Sequence, residues 1–189
     1  MKKLIIILCA LCFTVSVANA DGVIKRRIIG EAAPSCATQS TDVEYTTYNT
    51  SSAFDVNDER GQSFTTVGGG VLYSISIHRT DMTGGTVDVT FRVDNGSSME
   101  VYLTEFTCGI TAATNAFVEC VIPEANRINL SATTTYYFLI QNTENVIWNI
   151  NRDSANGYAG GTAFYDATEN WQGTASAGSD LPFRIKVCD

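Results

Sequence analysis

Flat aromatic rings, side-chain amides and carboxylates are the groups in this chain with binding chemistry to offer, and they crowd into one stretch. Trp148, Asn149, Asn151, Asp153, Tyr158, Tyr165 and Trp171 follow one another there. A flat ring stacks on the C–H face of a pyranose, while nearby amides and carboxylates bond its hydroxyls. Tyr158, Trp171, Trp148, Tyr165, Asn151 and Asp153 are therefore the candidate ligand-binding set. Core packing competes for Trp148, which lies among isoleucines in a strand-like run, and for Trp171.

Other chemistry is poorly supplied. Glycoside hydrolysis needs two carboxyl groups at a set separation, and Asp55, Asp58, Glu59, Glu105, Asp153, Asp166, Glu169 and Asp180 supply many pairs. With 20 acids in the chain, some pair is inevitable by chance, so a glycoside hydrolase is only a minor alternative and no catalytic residue is expected. His78 is the single histidine; it lies in an alternating run, where a solvent-facing position is expected, and no G-x-S-x-G elbow surrounds any serine. Calcium takes scattered carboxylates and carbonyls. If a structural calcium is bound, Asp55, Asp58 and Glu59 are its densest ligand cluster, with Asp180 closing on them.

Compartment follows from the first residues. Lys2-Lys3, an apolar run from Leu4 to Val17 and Ala18-Asn19-Ala20 before Asp21 have the order of a secretory signal peptide cleaved near Ala20. The apolar run is shorter than the roughly 18 residues of a membrane span, so membrane insertion is not expected. Removing residues 1–20 takes away two lysines and no acids, leaving 10 basic and 20 acidic residues, a net charge of −10. That sign disfavours nucleic acid as a partner. Residues 21–35 read as an N-terminal extension, in which Val23 to Gly30 forms an edge strand, a lead-in or a strand donated to a neighbour. Residues 36–189 read as a single domain.

Four cysteines remain after the signal: Cys36, Cys108, Cys120 and Cys188. An even number in an exported chain reads as two disulfides with three possible connectivities. The favoured pairs are Cys108–Cys120, clipping a short loop, and Cys36–Cys188, stapling the ends of the domain.

Strand alternation must position all these groups. Val71, Tyr73, Ile75 and Ile77 alternate with Leu72, Ser74, Ser76 and His78, and Val87, Val89, Phe91 and Val93 alternate with Asp88, Thr90 and Arg92. Asp94-Asn95-Gly96-Ser97 then supplies a hairpin signal before Met99 to Phe106. Further strands are expected over 117–122, 136–141, 146–150, 162–165 and 181–187. No sustained 3.6-residue apolar period interrupts them. The pattern predicts an all-β, antiparallel sandwich of jelly-roll type.

The order Gln62-Ser63-Phe64-Thr65, Leu72 to Ile77, Leu130 to Ile140, then Trp148, Gly157 to Tyr165, Trp171 and Asp180-Leu181-Pro182-Phe183-Arg184-Ile185 resembles bacterial secreted modules of the choice-of-anchor R type. The resemblance covers roughly residues 60–187; Asp166 to Trp171 lacks the glycines usual in that turn. It implies a carbohydrate-binding-like sandwich at the cell surface, taking a polysaccharide or glycan without catalysis. The alternative expectation is a structural or adhesive subunit that assembles with other surface proteins or with itself.

Overall fold

A computed structural model describes residues 16–18, 24–26, 36–81, 85–95, 102–111, 115–144, 146–155, 157–166, 174–175 and 179–188. The chain divides into two units, residues 1–32 and 33–189. In the first, β1 (Ser16–Ala18) and β2 (Ile24–Arg26) pair antiparallel, on either side of the expected cleavage point.

The second unit is built from thirteen strands among the described residues. They are β3 (Gln39–Tyr45), β4 (Thr50–Phe54), β5 (Glu59–Thr65), β6 (Gly70–Asp81), β7 (Thr86–Asp94), β8 (Thr104–Thr111), β9 (Ala116–Val121), β10 (Asn129–Leu130), β11 (Thr135–Asn142), β12 (Trp148–Arg152), β13 (Ala163–Asp166), β14 (Thr174–Ala175) and β15 (Phe183–Cys188). One sheet runs β3-β15-β6-β12-β4, with β9 and β10 also on β6; the other runs β14-β13-β5-β11-β7-β8. Every strand pair is antiparallel. The protein is an all-β sandwich.

Alternation makes the sandwich, because period-two apolar residues give each sheet one inward face. Ile75, Ile77 and Ile185 from one sheet meet Val89, Phe91, Phe138 and Ile140 from the other in a continuous core. Phe64, Phe138 and Phe183 sit at its centre, with ring centroids 5.7–6.3 Å apart. Both disulfides form as expected, Cys36–Cys188 and Cys108–Cys120. The second does more than clip a loop. Cys108 lies in β8 and Cys120 in β9, so the bond ties one sheet to the other.

Three expectations are corrected. In β6 the buried series runs Leu72, Ile75, Ile77, and Val71 and Tyr73 are only half-buried. The register to β15 shifts between Lys186 and Val187, so Tyr73 becomes an extra residue and the alternation changes face. The antiparallel partner expected after the Asn95-Gly96 signal forms, with Val93 paired to Thr104, but among the described residues β8 begins at Thr104 and not near Met99. His78 is not solvent-facing, since Tyr48 and Phe117 cover its ring at 4.4 and 4.7 Å. Burial, with Arg184 nearby, holds the His78 pKa below the usual imidazole range.

Candidate functional site

At the edge where β4 and β12 of one sheet face β5 and β13 of the other, an open cleft of about 170 Å³ enters the sandwich. Ser52 of β4, Arg60 of β5, Arg152 of β12, and Phe164 and Tyr165 of β13 line it, with Ala163, Ser179 and Leu181. Gly161 lets β13 come this close. A Cβ there would fall 1.9 Å from the Ser63 carbonyl oxygen, so no other residue fits without moving the chain. Ser63 N donates to Thr162 O (2.9 Å), and Thr162 N donates to Ser63 Oγ (2.7 Å), which fixes the approach.

Among the described residues Tyr165 is the one member of the aromatic candidate set that lines the cleft, and it is 43% exposed. Its ring lies on the Arg60 guanidinium, 3.8 Å from ring centroid to Cζ. Arg60 is itself held firmly. Its Nη1 donates to Glu59 O (3.1 Å), and its Nη2 donates to Ala53 O (2.9 Å) and Asp58 Oδ2 (3.1 Å). Burial lowers the Arg60 pKa, and Asp58 works in the opposite direction. A cation stacked on an aromatic face in a partly desolvated place contributes about 1 kcal/mol or more, so Tyr165 is presented as a fixed platform.

Arg152 behaves differently. Its Nε is buried and has no hydrogen-bond partner among the described residues. The hydroxyls of Ser52 and Ser179 are the neutral polar side chains along the same walls.

The other sequence candidates lie elsewhere. Trp148 is 2% exposed, edge-on to Phe54 at 4.7 Å and covered by the Arg79 guanidinium at 4.3 Å; it is a core residue. Alternation from Ile150 explains this, because positions 148 and 150 share the inward face. Asn151 is buried, with its amide against His78 Nδ1 (2.6 Å) and its carbonyl accepting from the Thr80 hydroxyl. Its polar atoms are committed to that network. Tyr158 is half-buried, packed on Phe183 at 5.2 Å and on Tyr45 at 5.4 Å, and does not line the cleft. Trp171 lies outside the described residues.

Asp153 and Asp180 form a bridge between chain segments, each backbone N donating to the other's carbonyl oxygen at 2.8 Å. Asp153 Oδ1 accepts from Asn49 Nδ2 and from Ala155 N, both at 2.9 Å, and Oδ2 accepts from the Tyr45 hydroxyl and from Gly157 N (3.3 Å). Asp180 Oδ1 accepts from Gln62 Nε2 (3.0 Å) and Oδ2 from Tyr158 N (2.9 Å). Gln62 Oε1 in turn accepts from Leu181 N (2.9 Å). The Tyr45 hydroxyl holds the Asp153 carboxyl below the usual range, whereas burial pushes Asp180 up. The two pKa values move apart, but the oxygens are occupied by structural donors.

The structure places each of the four calcium candidates. Asp180 is turned to Gln62 and Tyr158, Asp58 is paired with Arg60, and Glu59 is fully buried while Asp55 is exposed. Among the described residues no three His, Cys, Asp or Glu side chains gather as a metal site. Arg60 beside Asp58 and Glu59 was the sequence signal against a cation there.

Sequence reasoning missed Arg60, Arg152, Ser52 and Ser179. Arg152 sits between two residues that drew attention, Asn151 and Asp153, and strand alternation alone turns it to the opposite side. Compared with known protein families and curated proteins, the chain matches no family model and no curated protein. The cleft is therefore read from its own chemistry.

Proposed function

We propose that this protein is a non-catalytic secreted or cell-surface module that binds carbohydrate in the cleft beside Tyr165. The carrying observation is the exposed Tyr165 ring, immobilised on Arg60 at the wall of an open cleft that Ser52 and Ser179 also line. A sugar needs this combination: a flat apolar surface for its C–H face and polar groups around the rim for its hydroxyls. The volume suits a small ligand portion. At ~30 Å³ per water it corresponds to roughly five or six waters, the bulk of one sugar ring.

Two features favour binding over turnover. Asp153 and Asp180, which follow the cleft residues Arg152 and Ser179 in sequence, are buried and accept structural hydrogen bonds with both oxygens. His78, the only imidazole, is engaged with Asn151 under Tyr48 and Phe117. Two disulfides fit an oxidising, extracytoplasmic compartment, and the sequence pattern of residues 1–20 supports export by a signal peptide.

Polysaccharide pull-down followed by titration calorimetry tests the proposal. Tyr165→Ala should weaken binding about tenfold, equivalent to ~1.4 kcal/mol, with the thermal midpoint little changed. Undiminished glycan binding by this variant would remove Tyr165 from the site.

A further inference from the structure

We infer that the ligand portion entering this cleft carries a carboxylate, as in a uronic or sialic acid residue, and that Arg152 is the residue that grips it. The inference rests on the carbohydrate reading and specifies the class of sugar.

Arg60 and Arg152 line the same cleft, but they are not equivalent. Arg60 is compensated by Asp58 and donates to two backbone carbonyls, so its charge and its hydrogen bonds are already used to build the wall. The Arg152 Nε–H is removed from solvent without an acceptor among the described residues. Leaving a buried donor unsatisfied costs about 1–3 kcal/mol. Such a group in a native structure asks for a partner, and here it stands at a cavity wall. No carboxylate lines the cleft among the described residues, which leaves the place of an acceptor to a ligand group.

The shape of the guanidinium defines that partner. Nε and one Nη form a planar fork that matches the two oxygens of a carboxylate. With Arg60 compensated, Arg152 offers a single positive charge, which a monoanion balances and a dianionic phosphate would overload. The protein as a whole is acidic, with 20 acidic against 12 basic residues, so an anion is repelled everywhere except at a local cationic site. Tyr165 and the serine hydroxyls would hold the sugar ring while Arg152 holds its acid group.

An array of neutral, uronic-acid, sialylated and sulfated glycans, each carboxylated member present both free and as its methyl ester, tests this with the purified disulfide-bonded protein. Binding to a carboxylated glycan is expected, weakened at least tenfold by esterification. Arg152→Gln should reproduce that loss toward the free acid and leave the ester unaffected. Should Arg152→Gln not fold, Arg152→Lys, which keeps the charge but not the fork, is expected to show at least a tenfold loss toward the free acid. Equal binding of acid and ester overturns the inference and leaves the carbohydrate reading intact. Preference for sulfated over carboxylated glycans overturns the carboxylate assignment. Silence across the whole array overturns both.

Discussion

Arg152 and Asp153 are consecutive residues with opposite fates, as are Ser179 and Asp180. The two aspartates point into a closed node in which Asn49, Tyr45, Gln62 and three backbone N–H groups use their oxygens. Their neighbours point the other way, into a cleft where a guanidinium N–H has no acceptor among the described residues. The contrast shows how to sort polar groups near a pocket. A satisfied buried group is holding the chain, while an unsatisfied one at an opening is available to a ligand.

The sharpest way to break this comparison is to delete one member of each side and measure stability by urea denaturation. Asp180→Ala leaves Tyr158 N without its acceptor and Gln62 Nε2 with Ser63 O alone, and should cost about 2–6 kcal/mol, at ~1–3 kcal/mol for each of the two stranded N–H groups. Arg152→Gln removes a donor whose burial without an acceptor costs about 1–3 kcal/mol, so it should not lower stability. Equal losses from the two variants would erase the distinction between node and cleft.

Acid titration of the same node gives a second, smaller effect with two signs. The Asp153 pKa is lowered on folding, so Asp153 contributes stability above its unfolded value of about 3.9; that stability is lost as pH falls through its folded value. The Asp180 pKa is raised by burial, so the folded state takes up this proton first. Asp180 therefore penalises the fold at neutral pH and relieves that penalty as pH falls toward its unfolded value. Asp153→Asn should flatten the acid loss of stability, and Asp180→Asn should steepen it. Urea midpoints collected from about pH 6 to about pH 3 read both slopes, and slopes of the same sign would contradict the assignment.

The smallest effect lies on the alkaline side. Burial and the Asp153 carboxylate push the Tyr45 hydroxyl up to about 12. Its folded pKa exceeds the unfolded value near 10, so its contribution is complete below about pH 10 and is lost as pH rises toward 12. The advantage of the parent protein over Tyr45→Phe, about 1 kcal/mol at neutral pH, should shrink across that interval. A constant difference would mean that the hydroxyl does not report on the node.

Most of the sandwich was legible because its inward faces are written as alternating apolar residues. β7, β9, β11, β12, β13 and β15 fall where Val87 to Val93 and the later runs predict them, within a few residues. β5 escaped this reading. Glu59-Arg60-Gly61-Gln62-Ser63 has no apolar side chain, yet all five residues are buried, because β5 lies between β11 and β13 and Gln62 and Ser63 are satisfied by Asp180 and Thr162, far away in sequence. The site shows the same divide. Tyr165 was legible as a candidate aromatic but its exposure was not, and Asn151 and Asp153 resembled ligand groups until their partners Thr80, His78 and Tyr45 came into view. Those contacts join residues more than seventy positions apart, which no local pattern encodes.

The bond between Cys108 and Cys120 has a mechanical consequence. It fastens β8 to β9, whereas the cleft lies where β4 and β13 meet, at the other end of the strand order in both sheets. A covalent tie at one margin acts as the spine of a book. At the fore-edge, where Tyr165 and Arg152 stand on facing pages, the leaves are held instead by the short link from β4 to β5 and by the Arg60–Ala53 hydrogen bond.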